Sequence, residues 1–451
     1  MRVWNIGIVG GGPGGLMTAY ALQKIANSPM RMTLFEGSAR LGGKILTPQF
    51  DNIPVHYEAG AAEFYDYSRH DDDPLKDLIV ELGLPIRPMG GPAVVMNQRI
   101  LANLDDITDH LGKPAYRALR EFDRLAKDRQ SPQEFYHTDA PDGISRPDSG
   151  RFDTMLTEIA ESPARQYIEH LIHSDLATEP SQTSLSYGLQ NYLMNDPAYM
   201  HLYGIEGGNE RLPQELAARI DAAILLEHRV VNVAKTDQGQ LQINSHHRQK
   251  PRRDDFDFVV IALPHSHLTS VSYGGNRLDD AVRRHHAQYN YPAHYLRITI
   301  LFEQPFWRDA FSDSYWMLDQ FGGCCLYDES SRDPGSTHGV LGWLLGGEVA
   351  KQKCPLTDEQ LIAEALDSLP DFLRHGRHDY IEGRVHRWQG AVNAIPGGIV
   401  PQNLDQRHQP EPLEHPHLFM VGDYLFDSTL NGVLDSAEYV AAWIAAIMAD
   451  N

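Results

Sequence analysis

The chain has 451 residues and a formal net charge of −22, with 42% hydrophobic and 22% charged residues. That length suggests two or three domains with ample core. The acidic balance argues against nucleic acid or anionic membrane as the main partner, since both require basic surface. Cys324, Cys325 and Cys354 lack CxxC or metal-type spacing, so neither a disulfide framework nor a metal site is expected. No signal-peptide pattern and no run of ~18 apolar residues is visible, and a cytoplasmic location is the default expectation.

Residues 3–9, VWNIGIV, are apolar and β-branched enough for a buried strand. GGGPGGL follows at 10–16. Glycine at that density is unfavourable in any helix or strand, because it gives up the most backbone entropy. Gly10, Gly12 and Gly15 fit G-x-G-x-x-G, with Pro13 and Gly14 inside the motif. LMTAYALQKI then predicts a helix with Leu16, Ala19, Tyr20 and Leu22 on its apolar face. In this context the first glycine makes a tight turn, the second lets the backbone meet a pyrophosphate, and the third lets helix and strand pack closely. The anion sits at the helix N-terminus. A second strand, RMTLFE, ends at Glu36. It lies about 20 residues beyond the glycines, where an acid meets a ribose hydroxyl. These features read as a dinucleotide site.

GSARLGGKILT follows at 37–47. Its R-x-G-G-[RK] run resembles the signature of the FAD-dependent amine oxidase superfamily. That group includes monoamine, polyamine and L-amino-acid oxidases, protoporphyrinogen oxidase and phytoene desaturase-like flavoproteins. The resemblance implies a second glycine turn past the pyrophosphate, at Arg40 and Gly43, with Lys44 where the family usually has Arg. Lysine keeps the charge but loses the bidentate fork. HYEAGAAEF (56–64) is similar to the family segment that skirts the flavin, which places Gly60 and Ala61 there.

Residues 113–130 predict a helix with Leu119, Phe122 and Leu125 on one stripe. Residues 131–151, rich in Pro, Asp, Ser and Gly, predict a long exposed loop, and a helical pattern resumes over 152–175. IEGGNERLPQELAARI (205–220) resembles the family's helix entry. ILLEHRVVNV (224–233) resembles the strand whose backbone meets the adenine, placing Val230 there, and FVVIALPHSHL (258–268) the buried strand ending in Pro. In HYLRITILF (294–302), Leu296, Ile298, Ile300 and Phe302 alternate with Tyr295, Arg297 and Thr299. That predicts a sheet with one apolar face and one polar lining.

LRITILFEQPFW (296–307) resembles the family's strand with a lysine upstream of Pro-Phe-Trp, and Arg297 stands at the lysine's place. In the family that lysine holds a water at the flavin's reactive nitrogen. Arg297 is open to a related role, to binding a substrate carboxylate, or to an ordinary solvated strand position. Trp388 either shapes the pocket or belongs to the core. Aligning PGGIV (396–400) and STLNGVLDSAE (428–438) puts Ala391 and Thr429 where monoamine oxidases have two tyrosines, so their aromatic cage is absent. The same alignment puts Gly390 at the place of an attachment cysteine, which implies non-covalent FAD. Residues 417–443 read as a strand, then Gly422-Asp423, then a helix starting at Leu430, Asn431, Gly432 and Val433. In the family this block closes the flavin site, and a helix dipole there stabilises reduced flavin. Helical spacing of Val433, Ala437, Val440, Ile444 and Ile447 predicts a docked C-terminal helix.

The expected fold is therefore α/β. A discontinuous Rossmann-type FAD-binding domain covers 1–90, 205–285 and 385–451. An inserted mixed α+β substrate domain, with a helical part, covers 91–204 and 286–384. The expected activity is oxidation of an amine or amino acid by hydride transfer to FAD. Imine hydrolysis and reoxidation by oxygen or another acceptor would follow. No second G-x-G-x-x-G is present, so the organic substrate itself is expected to reduce the flavin. A desaturase of C–C bonds and an isomerase or mutase without net redox are the alternatives. Glu63 stands where L-amino-acid oxidases often carry an Arg that clamps the carboxylate. Glu58 and Glu63 are open either to an amine-bearing substrate or to a peripheral ion pair. His265 and His267 are acid–base candidates at a strand end. The expected partner is a small-molecule substrate, and a homodimer is left open.

Overall fold

A computed structural model describes residues 2–68, 72–91, 93–132, 135, 150–311, 313–333, 335–397, 402–426 and 428–450. Most of the loop expected over 131–151, and residues 398–400 of the PGGIV block, lie outside the described residues.

The first apolar segment forms the strand Trp4–Val9 at the centre of a five-stranded sheet. In order, the strands are Leu418–Met420, Phe258–Ile261, Trp4–Val9, Met30–Phe35 and Ala222–Leu225, all parallel. A parallel sheet covered on both faces calls for near-continuous apolar runs. Here one face packs on the helices Pro13–Ile25 and Leu430–Asp450, through Leu16, Ala19, Phe419, Ala437, Val440 and Ile444. The other face, carrying Val9, Phe35, Val259 and Ile261, meets Val233, Ile243 and Phe256 of a four-stranded sheet.

The remaining architecture centres on a seven-stranded sheet. Its strands run Tyr380–Asn393, Pro292–Phe302, Gly339–Gly346, Cys324–Asp328, Tyr315–Leu318, Ala93–Met96 and Arg99–Leu101. The alternation read from the sequence holds. Leu296, Ile298, Ile300 and Phe302 pack with Trp316, Trp343 and Leu361, while Tyr295 packs on the opposite side, among the helices.

Three local readings need correction. The helix expected over 113–130 is the second part of a longer run, Leu104–Arg129, broken by Gly112 at φ 86°. Its buried stripe is Leu119, Phe122 and Ala126, and Leu125 is 36% exposed. Six residues turn a helix by about 600°, off the stripe, whereas seven return it to the same face. The pattern over 152–175 divides into Phe152–Thr157 and Ser162–Leu176. The adenine-strand segment divides into Ala222–Leu225 and His228–Lys235, which turn at Glu227 (φ 57°) and join different sheets. The three cysteines are free and buried.

Candidate active site

The glycine turn links the central strand to the Pro13–Ile25 helix. Gly10 N–H donates to the Phe35 carbonyl at 2.8 Å. Its φ is 114°, and a Cβ there would stand 2.4 Å from the Ala262 carbonyl oxygen. At Gly15 a Cβ would stand 2.0 Å from the Gly10 carbonyl oxygen, so the helix rests directly on the turn. Gly14 serves packing, with Val421 and Val433 of the C-terminal block 3.1 and 3.6 Å from a Cβ built on it. Gly12 differs from all three. The nearest atom to its Cβ would be the Gly43 Cα at 3.8 Å, so no protein neighbour demands glycine there. Its bare backbone, at the N-cap of a helix with Pro13 in the first turn, suits close approach of a ligand anion.

Glu36 stands at the rim of this turn. Its Oε2 accepts from Gly11 N–H at 2.9 Å and its Oε1 from Ser38 N–H at 2.7 Å. The second glycine turn, with Gly42 and Gly43 at φ 99° and 54°, folds around Arg40. The Arg40 guanidinium donates to the carbonyls of Leu41 (3.0 Å), Ile45 (3.3 Å) and Gly43 (2.5 Å). Arg40 thus builds the turn. Lys44 reaches further. Its Nζ donates to the Ala391 carbonyl and pairs with Asp423 Oδ2 at 3.1 Å.

One cation therefore ties together three blocks far apart in the chain. Gly60 explains a fourth. A Cβ there would lie 1.9 Å from the Lys44 carbonyl oxygen, which instead accepts from Ala61 N–H at 3.0 Å. Trp388, half-buried, donates its indole N–H to the Ala59 carbonyl at 2.6 Å. Thr429 caps the C-terminal helix, its hydroxyl accepting from Gly432 N–H at 3.1 Å, and Asn431 donates to Asp73 at 3.3 Å. Val230 is buried beside a register shift in its strand pairing. The glycine cradle and the convergence of Lys44, Asp423, Ala391 and Gly60 fit a dinucleotide lying across them.

The two glutamates of the EAGAAEF segment have different fates. Glu58 is fully buried. It accepts from the Thr47 hydroxyl (2.9 Å), Asn209 N–H (2.8 Å) and Arg332 (3.1 Å). Burial pushes its carboxyl up to about 7, against the pull of Arg332. It belongs to an internal network in which Arg332 Nε also pairs with Glu329, at 3.3 Å. Arg297 is 1% exposed, so it is not a solvated strand residue. It is paired with Glu329, with its guanidinium carbon 4.9 Å from the Tyr327 ring centroid. Its Nε and Nη1 lack hydrogen-bond partners.

Glu63 turns the other way. It is half-buried, and its Oε2 is enclosed without a partner. Burial raises its pKa, against the Arg297 charge and a hydrogen bond from Tyr327. Asp175, on the Ser162–Leu176 helix, is near enough to Glu63 for the two charges to repel, and burial raises it well above the usual range. Tyr65 and Tyr295 interact with both. All four are half-buried, and their electrostatic coupling marks them as one cluster. Tyr295 is the cross-strand partner of Trp388.

His265 is buried, stacked on His286 with ring centroids 4.3 Å apart, and its Nε2 bonds the His286 carbonyl at 2.9 Å. Burial lowers its pKa. His267 is exposed. Neither belongs to the cluster around Glu63. The sequence reading missed Asp175, and it missed His408 and Ser436. Ser436 Oγ accepts from Gly422 N–H at 3.1 Å and lies 3.0 Å from His408 Nε2, while His408 Nδ1 bonds the Leu404 carbonyl at 2.8 Å. This chain fixes the Gly422-Asp423 turn from behind. Among the described residues no group of metal-binding side chains occurs.

A family model for flavin containing amine oxidoreductases matches residues 13–445. A bovine (Bos taurus) prenylcysteine oxidase 1-like protein is 23% identical over 300 residues, covering 60% of this chain and 58% of the relative. An L-amino-acid oxidase of Neurospora crassa is 26% identical over 314 residues, covering 58% of this chain and 43% of the relative. The chain thus spans about half the length of these curated relatives. Among solved structures, wild-type putrescine oxidase bound to putrescine superposes with a TM-score of 0.70 at 19% identity, over 99% of each chain. That likeness concerns the fold.

Proposed function

The chain belongs to the flavin-containing amine oxidoreductase family, and from that premise we propose that it oxidises an amine at the carbon next to nitrogen, using non-covalent FAD. The five-stranded parallel sheet and its two covering helices serve as a Rossmann-type FAD domain, interrupted by the substrate-binding part. The glycine turn and the Pro13–Ile25 N-terminus take the pyrophosphate, and Glu36 the ribose. Lys44 and Asp423 hold the region between the second glycine turn and the C-terminal block. When bound, the flavin supplies a two-electron acceptor for the C–H bond beside the nitrogen. Gly390 offers no side chain for covalent attachment.

The observation that carries the amine reading is the half-buried Glu63 carboxyl, one oxygen of which is enclosed without a partner. An apolar polyene would leave that group buried and unpaired, at a cost of roughly 1–3 kcal/mol or more. An ammonium or amine N–H satisfies it. The same geometry favours amine oxidation over desaturation of C–C bonds. It also separates this site from one built to clamp a carboxylate at the same position, because Glu63 would repel it. Arg297 is paired with Glu329, and its charge also acts on Glu63. Imine hydrolysis consumes water and can follow in solution after the product leaves, with no group required from the protein.

The reading is tested by incubating the purified yellow protein in air with primary, secondary and diamine substrates and with L-amino acids. Peroxide and ammonia or a shorter amine should appear with at least one amine. Turnover of L-amino acids alone would contradict the assignment of Glu63.

A further inference from the structure

Beside the cofactor blocks, the strand Tyr380–Asn393 leaves its ladder. It pairs Val392 with Ala293 and Trp388 with Tyr295 of the neighbouring strand Pro292–Phe302. One residue, His294, therefore faces three, Gln389, Gly390 and Ala391, in a bulge that the ladder does not hold. Gly390 sits at φ 59°, and its N–H donates to His294 Nδ1 at 3.1 Å. The next residue is Ala391, whose carbonyl accepts from Lys44 Nζ, and Lys44 also pairs with Asp423 at 3.1 Å. A side chain thus supplies the bond that the ladder lacks, one residue before the carbonyl that fixes Lys44. His294 is itself held in place, its N–H donating to the Ala177 carbonyl at 2.9 Å.

A backbone N–H can only donate, so this bond exists only while Nδ1 keeps its lone pair and Nε2 carries the proton. A second proton puts two donors face to face and frees the bulge. His294 is half-buried at a surface cleft of about 400 Å³ that Glu179, Glu348 and Lys351 also line. Glu348 and Lys351 pair at 3.5 Å, and Glu179 bonds His173 at 3.2 Å. From the other side the turn His265–Ser270 reaches Gly390 through Ser266, whose Cβ would stand 3.8 Å from a Cβ built there. His265 and His267 are the titratable groups of that turn. Burial and the Lys351 charge lower the His294 pKa, against the pull of Glu348, which keeps Nδ1 unprotonated near neutrality. We propose that His294 is a positioning residue: its Nδ1 lone pair holds the Gly390–Ala391 bulge so that the Ala391 carbonyl fixes Lys44, which makes flavin retention depend on one imidazole proton. This rests on the assignment of FAD to these blocks and adds the residue that sets its acid limit.

The test follows FAD release from the flavin-loaded full chain, by recovery of free-flavin fluorescence after dilution at pH 7.5 and pH 5. Wild type should release FAD at least about tenfold faster at pH 5, the loss expected when a buried N–H forfeits its acceptor. His294→Asn offers an amide oxygen at the same place along the side chain and takes up no proton there. Its release should stay within about threefold of wild type at pH 7.5 and quicken by less than about threefold at pH 5. His294→Leu, with no acceptor, should release FAD quickly at both pH values. Because His294 acts through Lys44, His294→Leu should add less than about threefold once Lys44 is replaced by Met. Release from His294→Leu as slow as wild type at pH 7.5 overturns the proposal. So does a His294→Asn variant that quickens with acid in parallel with wild type. Should His294→Leu fail to fold, the comparison of wild type with His294→Asn decides. Wild type that takes up no FAD at any pH removes the flavin assignment itself, whereas binding with a pH profile that His294→Asn leaves unaltered removes only the role of His294.

Discussion

Lys44 is the residue on which the cofactor side converges. It joins the second glycine turn to Asp423 at 3.1 Å and to the Ala391 carbonyl. Lys44→Met should leave the fold intact and lower flavin retention by about tenfold, on the order of 1–2 kcal/mol for a partly exposed ion pair beside a polyanion. The flavin-to-protein absorbance ratio after gel filtration reads this, and unchanged retention would remove Lys44 from the site. Much at this scale was legible in the sequence. Gly10, Gly12, Gly15 and Glu36 carry their reasons in a local motif. Glu58 and Glu63 were not separable, because their neighbours Asn209, Arg332, Arg297 and Tyr327 come from distant segments. Asp175 was invisible for the same reason. Within its helix it looks like any surface acid.

At the level of elements, packing decides which pattern matters. Leu119→Ala in the Leu104–Arg129 helix should cost about 2–4 kcal/mol, whereas Leu125→Ala should change stability by less than about 0.5 kcal/mol. Chemical denaturation distinguishes them, and equal losses would mean that the buried stripe is misplaced. The strand–turn–helix opening and the C-terminal strand and helix were readable from continuous apolar runs and glycine. The break of 224–233 into two strands was not, because Glu227 turns the chain without a glycine or proline. The His408–Ser436–Gly422 chain shows how one element fixes another. Ser436→Ala would leave Gly422 N–H without its partner, at a cost of about 1–3 kcal/mol. Lower thermal stability together with weaker flavin retention is expected. A drop in stability alone would confine Ser436 to helix packing.

Across the whole molecule, two sets of buried groups pull stability in opposite directions with pH. Burial pushes His285, His386 and His408 down to about 4. The unfolded chain takes up those protons near pH 6.5 and the native protein does not, so this contribution is lost as pH falls from about 6.5 to 4. Burial pushes Glu58 up to about 7 and raises Glu63 and Asp175. Native protein keeps protons that the unfolded chain releases near pH 4, so their contribution is lost as pH rises above that value. Asp175→Asn should therefore melt higher than wild type at pH 8 and no higher at pH 4. A lower melting temperature at pH 8 would mean that Asp175 is held ionised by a cation.

The central claim is that an amine delivers its electrons directly to the flavin bound between these blocks. The most direct measurement is anaerobic mixing of the flavin-loaded protein with 1,4-diaminobutane, n-butylamine and benzylamine, followed at the oxidised-flavin band near ~450 nm. The account predicts saturable bleaching by at least one of them, faster at a pH where the reacting nitrogen is neutral. A flavin that stays oxidised with every amine, yet is bleached by dithionite, would contradict it.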